Sequence, residues 1–158
     1  MQRRRVGIYG ATTPAGLELM RVLSMHPMID LVFAADDSDA GELVITRYPG
    51  LSSNVRLAFV DSSPTRAREV DLVFSALPLH EARETVPAIR HAAPDTKLVD
   101  MSPLFRPGET DMWHRVYGAR HPAPEMLASF TYGVTEQDAH SIAVAACVAG
   151  PGALAQAV

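Results

Sequence analysis

The chain has 158 residues, a formal net charge of −4 and one cysteine. That length allows one domain with a buried core, and the acidic balance argues against nucleic-acid binding through bulk positive charge. A single cysteine excludes an intrachain disulfide and a cysteine-rich zinc site, and it fits a reducing, cytoplasmic setting.

The basic start, Met1 to Arg5, is followed by only four apolar or small residues before Gly10. That is too short for a signal peptide, and no later run approaches the ~20 apolar residues of a membrane helix. Val6 to Tyr9 is β-prone and ends at Gly10, the pattern of a buried strand. A turn of small residues, Ala11 to Gly16, leads into a helical repeat of Leu17, Met20 and Leu23, widened by Leu19 and Val22. The helix must stop near His26-Pro27, because a proline disfavours helix in the residue before it. Ile29 to Ala35 is a second strand, closed by Asp36-Asp37-Ser38. Residues 6–37 thus form one strand–helix–strand unit of the usual ~30 residues.

The alternation continues. Val55 to Val60 reads as a short strand and Asp71 to Leu77 as a stronger one, ended by Pro78. Glu81 to Ala93 is helical in composition, with Pro87 either in a first turn or at a kink. Lys97 to Met101 is a strand, Pro103 to Glu125 an ordered loop, and Ile142 to Val148 a last strand. Strands alternating with helices predict an α/β fold: a doubly wound, mostly parallel, Rossmann-like sheet in a single domain.

The turn Gly10-Ala11-Thr12-Thr13-Pro14-Ala15-Gly16 stands between strand and helix, where a dinucleotide fingerprint belongs. Gly10 permits the tight turn and Gly16 the close packing of helix on strand. Amides at the helix start can hold a pyrophosphate, helped by the helix dipole. Thr13 replaces the middle glycine, which puts a Cβ near the phosphate but adds a hydroxyl beside that of Thr12. The same spacing also suits a plain turn without a ligand. Asp36 and Asp37, with Ser38, follow the second strand. An acid there accepts hydrogen bonds from the adenine-ribose hydroxyls and repels the extra phosphate of NADP, which favours NAD. The same residues suit a solvated turn or a helix cap. Ala76, Leu77 and Pro78 end their strand at the carboxyl edge, where ligand crevices form in such sheets, and His80 follows them.

The six histidines are scattered without metal-ligand spacing, so no metal site is expected. Cys147 sits in an apolar strand and reads as a small buried hydrophobe. Arg106 and Arg120 suit a carboxylate or phosphate through a bidentate fork, or simply a solvated surface.

With these residues in place the chain resembles the N-acetyl-γ-glutamyl-phosphate reductases, which group with the aspartate-semialdehyde dehydrogenases. The opening, Val6 to Thr12 and Ala15 to Leu19, matches the family start. Asp71 to Pro78 resembles its "DVVFLALP" and Leu98 to Arg106 its "VIDLSADFR". Tyr117-Gly118, His121, Pro124-Glu125 and Tyr132 to Glu136 resemble its "WYG..H..PE…VYGLPE". The resemblance implies NADPH-dependent reduction of a small-molecule acyl phosphate to a semialdehyde in arginine biosynthesis; Asp36-Asp37, where NADP-using members tend to carry Ser or Arg, depart from it and leave the cofactor as NADP or NAD. It implies no nucleic-acid or membrane partner and leaves a homo-oligomer open.

In the family a cysteine thiolate attacks the acyl phosphate and the thioester accepts hydride, which needs an activated thiolate and a placed base. The family's "ANPGCYPT" corresponds to Ala149 to Gln156, and the nucleophile position is Ala153. Ser102 and Arg106 carry over as substrate contacts. The resemblance divides the chain into a dinucleotide-binding domain, residues 1–148, and residues 149–158, the start of the segment leading into a catalytic domain. An alternative on the same fold is a non-catalytic ligand sensor or protein-interaction module.

Overall fold

A computed structural model describes residues 2–51, 55–106 and 108–152. Its elements, in chain order, are β1 (Arg4–Tyr9), α1 (Pro14–Ser24), β2 (Ile29–Ala35), α2 (Val44–Arg47), β3 (Phe59–Val60), β4 (Leu72–Ser75), α3 (Leu79–Ala92), β5 (Lys97–Asp100), α4 (Thr110–Tyr117), β6 (Phe130–Tyr132), α5 (Thr135–Val144) and β7 (Cys147–Ala149). The strands form one sheet in the order β3-β2-β1-β4-β5-β7-β6. Every strand pair in it is parallel. Strand order reverses direction at β1–β4, and that switch point is where doubly wound sheets open a ligand crevice.

Alternation along the strands sorts the core into two layers, as the two-residue period of a strand requires. Val6 and Ile8 of β1 and Ala34 of β2 pack with Met20 and Leu23 of α1 and with Phe59. Tyr9, Phe33, Val73 and Leu98 face the other way, against Ala82, Val86 and Ile89 of α3. Burying both faces of a central strand explains why β1 is a continuous apolar run rather than an alternating one.

Several boundaries differ from the sequence expectation. The strand expected over Val55 to Val60 joins the sheet only at Phe59–Val60, and Ala58 forms an isolated antiparallel bridge with Leu43. The one expected over Asp71 to Leu77 pairs over Leu72–Ser75, and Ala76 and Leu77 lie in the connection from β4 to α3. The helix expected from Glu81 begins two residues earlier, at Leu79, because Pro78 is preset for the extended conformation of the capping residue. Pro87 lies in the middle of α3 rather than in its first turn. Val22, which the helical repeat places on the apolar face of α1, is 45% exposed.

Two larger corrections concern the far half of the sheet. The segment read as ordered loop, Pro103 to Glu125, contains α4, which buries Trp113 and stops at Gly118 in the left-handed conformation. The strand expected over Ile142 to Val148 is two elements: Ile142 to Val144 end α5, and only Cys147–Ala149 pairs in the sheet. A short apolar run bordered by helix cannot be told from a strand by its period alone.

Candidate functional site

The loops at the carboxyl ends of β1, β2, β3 and β4 converge. Gly10 follows β1 with φ +72, a conformation a side chain rarely adopts, and a Cβ there would meet the Ala76 backbone at 2.9 Å. Gly16 sits so close to the strand end that a Cβ would reach the Gly10 carbonyl oxygen at 2.2 Å. The two glycines let α1 start almost on the end of β1, with its amino terminus aimed at the crevice.

Thr13 caps α1. Its hydroxyl accepts from the Gly16 amide at 3.1 Å and lies 2.9 Å from the Gly10 carbonyl and 3.1 Å from the Ala76 carbonyl. That hydroxyl, expected as a donor for a ligand, is thus turned into the protein, where it ties the ends of β1 and β4 together. Pro14 occupies the first helical position, where it lacks an N–H to offer. Among the described residues, the amides of Thr12 and Ala15 meet no protein acceptor. These are the unsatisfied donors a helix start presents to an anion.

The Thr12 hydroxyl donates to Asp36 Oδ2. Asp36 Oδ1 accepts from the Ser38 amide at 3.0 Å, and Asp37 Oδ1 from the Ser62 amide at 2.8 Å. Tyr9 fixes the loop that supplies Ser62, since its phenol donates to the Ser63 carbonyl at 2.9 Å. Burial drives that phenol's pKa well above its ordinary value, so it remains a donor.

The crevice has two parts. One, about 250 Å³, is lined by Gly10, Asp36, Asp37, Ser38, Ser62, Leu77 and Glu81. The other, about 540 Å³, runs over Ala15, Ala76, Leu77, Arg106, Gly133, Gly150 and Pro151. Leu77 borders both. The compartments together suit an elongated ligand laid across the switch point, with the start of α1 between its ends. A larger groove, about 690 Å³, lies at the opposite edge of the sheet, between Arg3, His26 and Arg56, away from these loops.

Ser62 and Glu81 join the site unforeseen by the sequence reading. Only the strand order brings the loop after β3 and the first turn of α3 to the end of β2. Pro78 caps α3 beside the crevice. His80 is largely exposed and lies 3.4 Å from Glu81. Arg120 lines a separate recess beside α4.

At the far end the polar side chains are turned inward. Asp100 is fully buried, accepting the Ser102 hydroxyl at 2.7 Å and the Ser102 amide at 3.1 Å. Burial pushes its carboxyl up to about 6, although the Ser102 bonds and the Arg106 charge oppose the rise. Ser102, 3% exposed, also accepts from the Leu104 amide. Arg106 donates through Nε to the Gly150 carbonyl at 2.8 Å and through Nη2 to the Met101 carbonyl at 2.7 Å, bridging the ends of β5 and β7. Nη1 lies beside Gly152, at 3.1 Å from where a Cβ would stand. Of the two expected substrate contacts, the structure leaves Arg106 on the groove wall and gives Ser102's hydroxyl to Asp100.

Cys147 is buried at the start of β7, and burial raises its thiol, so it is not poised as a thiolate. Ala153 lies outside the described residues. Among the described residues no group of three or more His, Cys, Asp or Glu is placed to hold a metal, and no helix is long and apolar enough to cross a membrane.

The family model described as the semialdehyde dehydrogenase NAD binding domain matches residues 5–145. A protein of Alkalilimnicola ehrlichii named N-acetyl-gamma-glutamyl-phosphate reductase is 38% identical over 153 residues, 97% of this chain and 44% of that protein. One of the same name from Nitrosococcus oceani is 35% identical over 98% of this chain and 45% of its own length. The chain therefore spans less than half the length of these relatives. In fold it is similar to aspartate semialdehyde dehydrogenase II from Vibrio cholerae, with TM-score 0.67 and 16% identity over 96% of this chain and 38% of that one. It is likewise similar to the Candida albicans aspartate semialdehyde dehydrogenase solved with NADP, with TM-score 0.60 and 18% identity over 77% of this chain and 41% of that one.

Proposed function

Since the chain belongs to the family of semialdehyde dehydrogenase NAD-binding domains, we propose that it is the dinucleotide-binding part of an acyl-phosphate reductase of the N-acetyl-γ-glutamyl-phosphate type. It binds NAD or NADP and does not by itself turn over an acyl phosphate. The observation that carries the binding is the start of α1: two amides without protein acceptors, brought to the crevice by Gly10 and Gly16, with Asp36 across the mouth. A pyrophosphate fits there because the donors are unsatisfied and the helix dipole favours negative charge. The nicotinamide, when bound, supplies the hydride chemistry. This chain's own contribution is to hold the pyrophosphate at Thr12 and Ala15, seat the adenosine beside Asp36, Asp37 and Ser38, and floor the other compartment with Ala76 and Leu77.

The lack of turnover rests on Ala153, which stands at the family's nucleophile position and offers no atom for covalent catalysis. Cys147 does not substitute, being buried on a strand with a raised thiol pKa. The binding domain expected over residues 1–148 takes in Ala149 as well, which pairs in β7, and Gly150 and Pro151, which line the crevice, with Arg106 and Ser102 at the substrate end. We place the protein in the cytoplasm, binding small molecules, with a homo-oligomer compatible with this role.

Calorimetric titration of NAD, NADH, NADP and NADPH tests the reading. Saturable binding of at least one, with no absorbance change at 340 nm on adding acyl phosphate, is expected. No heat at millimolar ligand overturns it and favours a protein-interaction module on the same fold. Turnover overturns the assignment of inactivity to Ala153.

A further inference from the structure

We propose that the adenosine end of this crevice selects NAD(H) over NADP(H), with Asp36 as the discriminating residue. The inference rests on the dinucleotide reading above and adds to it which of the two cofactors the site takes. The cofactors differ in one group, a ribose hydroxyl that donates a hydrogen bond or a phosphate that only accepts and carries close to two negative charges at neutral pH. A wall that accepts therefore suits one, and a wall that donates or is cationic suits the other.

The wall here accepts. Asp36, Asp37 and Glu81 line the smaller compartment, and among the described residues no Lys, Arg or His lines it. Asp36 is fixed across the mouth rather than free to swing aside. Its amide donates to the Val60 carbonyl at 2.9 Å, and its two carboxylate oxygens accept from the Thr12 hydroxyl and the Ser38 amide. Each oxygen keeps a lone pair for a ribose hydroxyl. Asp37 is tied to the Ser62 amide on the opposite lip. Of the nearby arginines, Arg66 pairs with Asp61 at 2.5 Å, Arg47 with Asp39 at 3.4 Å, and Arg83 lies over the Trp113 ring. The amides at the start of α1 do not discriminate, because both cofactors bring the same pyrophosphate to them.

A 2′-phosphate in this compartment would face carboxylates, with no Lys, Arg or His among the described lining residues to balance it. NADH should therefore bind at least about tenfold more tightly than NADPH at low salt, with the gap narrowing as salt screens the repulsion. The test is a calorimetric titration of both into the 158-residue chain and into Asp36→Ser and Asp37→Ser, with a thermal melt of each variant. The ratio should move toward NADPH by about tenfold in Asp36→Ser and by less in Asp37→Ser. Should Asp36→Ser fail to fold, 5′-AMP against adenosine 2′,5′-bisphosphate decides on the unaltered chain, the bisphosphate binding more weakly. NADPH binding as tightly as NADH, or equal affinity of the two fragments, overturns the selectivity and leaves the dinucleotide reading intact. An unchanged ratio in folded Asp36→Ser overturns the role of Asp36. No binding of any dinucleotide overturns the underlying reading and the selectivity with it.

Discussion

The two ends of the crevice handle their polar groups in opposite ways. At the β1–β2–β3 end they are arranged toward the opening: two amides without acceptors at α1 and two aspartates on turns at the mouth. At the β5–β7 end they are consumed by the protein. Asp100 is sealed beneath Ser102, and Arg106 spends Nε and Nη2 on backbone carbonyls. One end is prepared to meet a ligand, and the other is a scaffold that fixes where the strands end. The proposed dinucleotide site lies at the first, and Ala153, the proposed position of the lost nucleophile, lies outside the described residues.

The comparison is broken most severely by crowding the prepared end. Gly16→Val puts a side chain into the Gly10 carbonyl, which Cβ alone would approach to 2.2 Å. The backbone carbonyl has no rotamer with which to yield, so the loss should reach about 3 kcal/mol in denaturant unfolding and abolish dinucleotide binding.

The sealed end should reveal itself through pH. Asp100 titrates near 6 when folded, against 3.8 for the unperturbed side chain. The folded state thus binds the proton more tightly, and the stability this contributes is full below about pH 4 and lost as pH rises through about 6. Stability should fall by on the order of 3 kcal/mol across that window, and Asp100→Asn should remove this part of the slope in unfolding measured at a series of pH values.

Arg106→Ala deletes two charge-assisted hydrogen bonds between β5 and β7 and should cost about 2 kcal/mol. Arg106→Lys should recover only part of it, because an ammonium cannot reproduce the planar fork. Thr13→Ala removes the cap of α1 and should cost about 1 kcal/mol. At the small extreme, Glu18→Gln breaks an exposed ion pair with Arg21 and should leave the melting temperature unmoved.

The prepared end is also the legible one. Gly10, Gly16 and Asp36 announce themselves through spacing within one strand–helix–strand unit, so local rules suffice. Thr13 is legible as part of the turn but not in its orientation, because the partner that captures its hydroxyl, Ala76, is 63 residues away. Ser62 and Glu81 are illegible for the same reason, since strand order and not sequence distance brings them to Asp36. In the far half, α4 hides between Pro103 and Pro124, and its eight residues are too few for a clear helical period. Ile142 to Val144 mislead because an apolar helix end beside a buried strand reads as one run. The all-parallel sheet survives these local errors because β1, β2, β4 and β5, which set the switch point, are all evident.

The most direct test of the central claim is a nitrogen-15 NMR titration of the chain with NADH. The largest amide shifts are expected at Thr12 and Ala15, with Asp36 and Ser38 following. Largest shifts in the groove between Arg3, His26 and Arg56, at the opposite edge of the sheet, would contradict that claim.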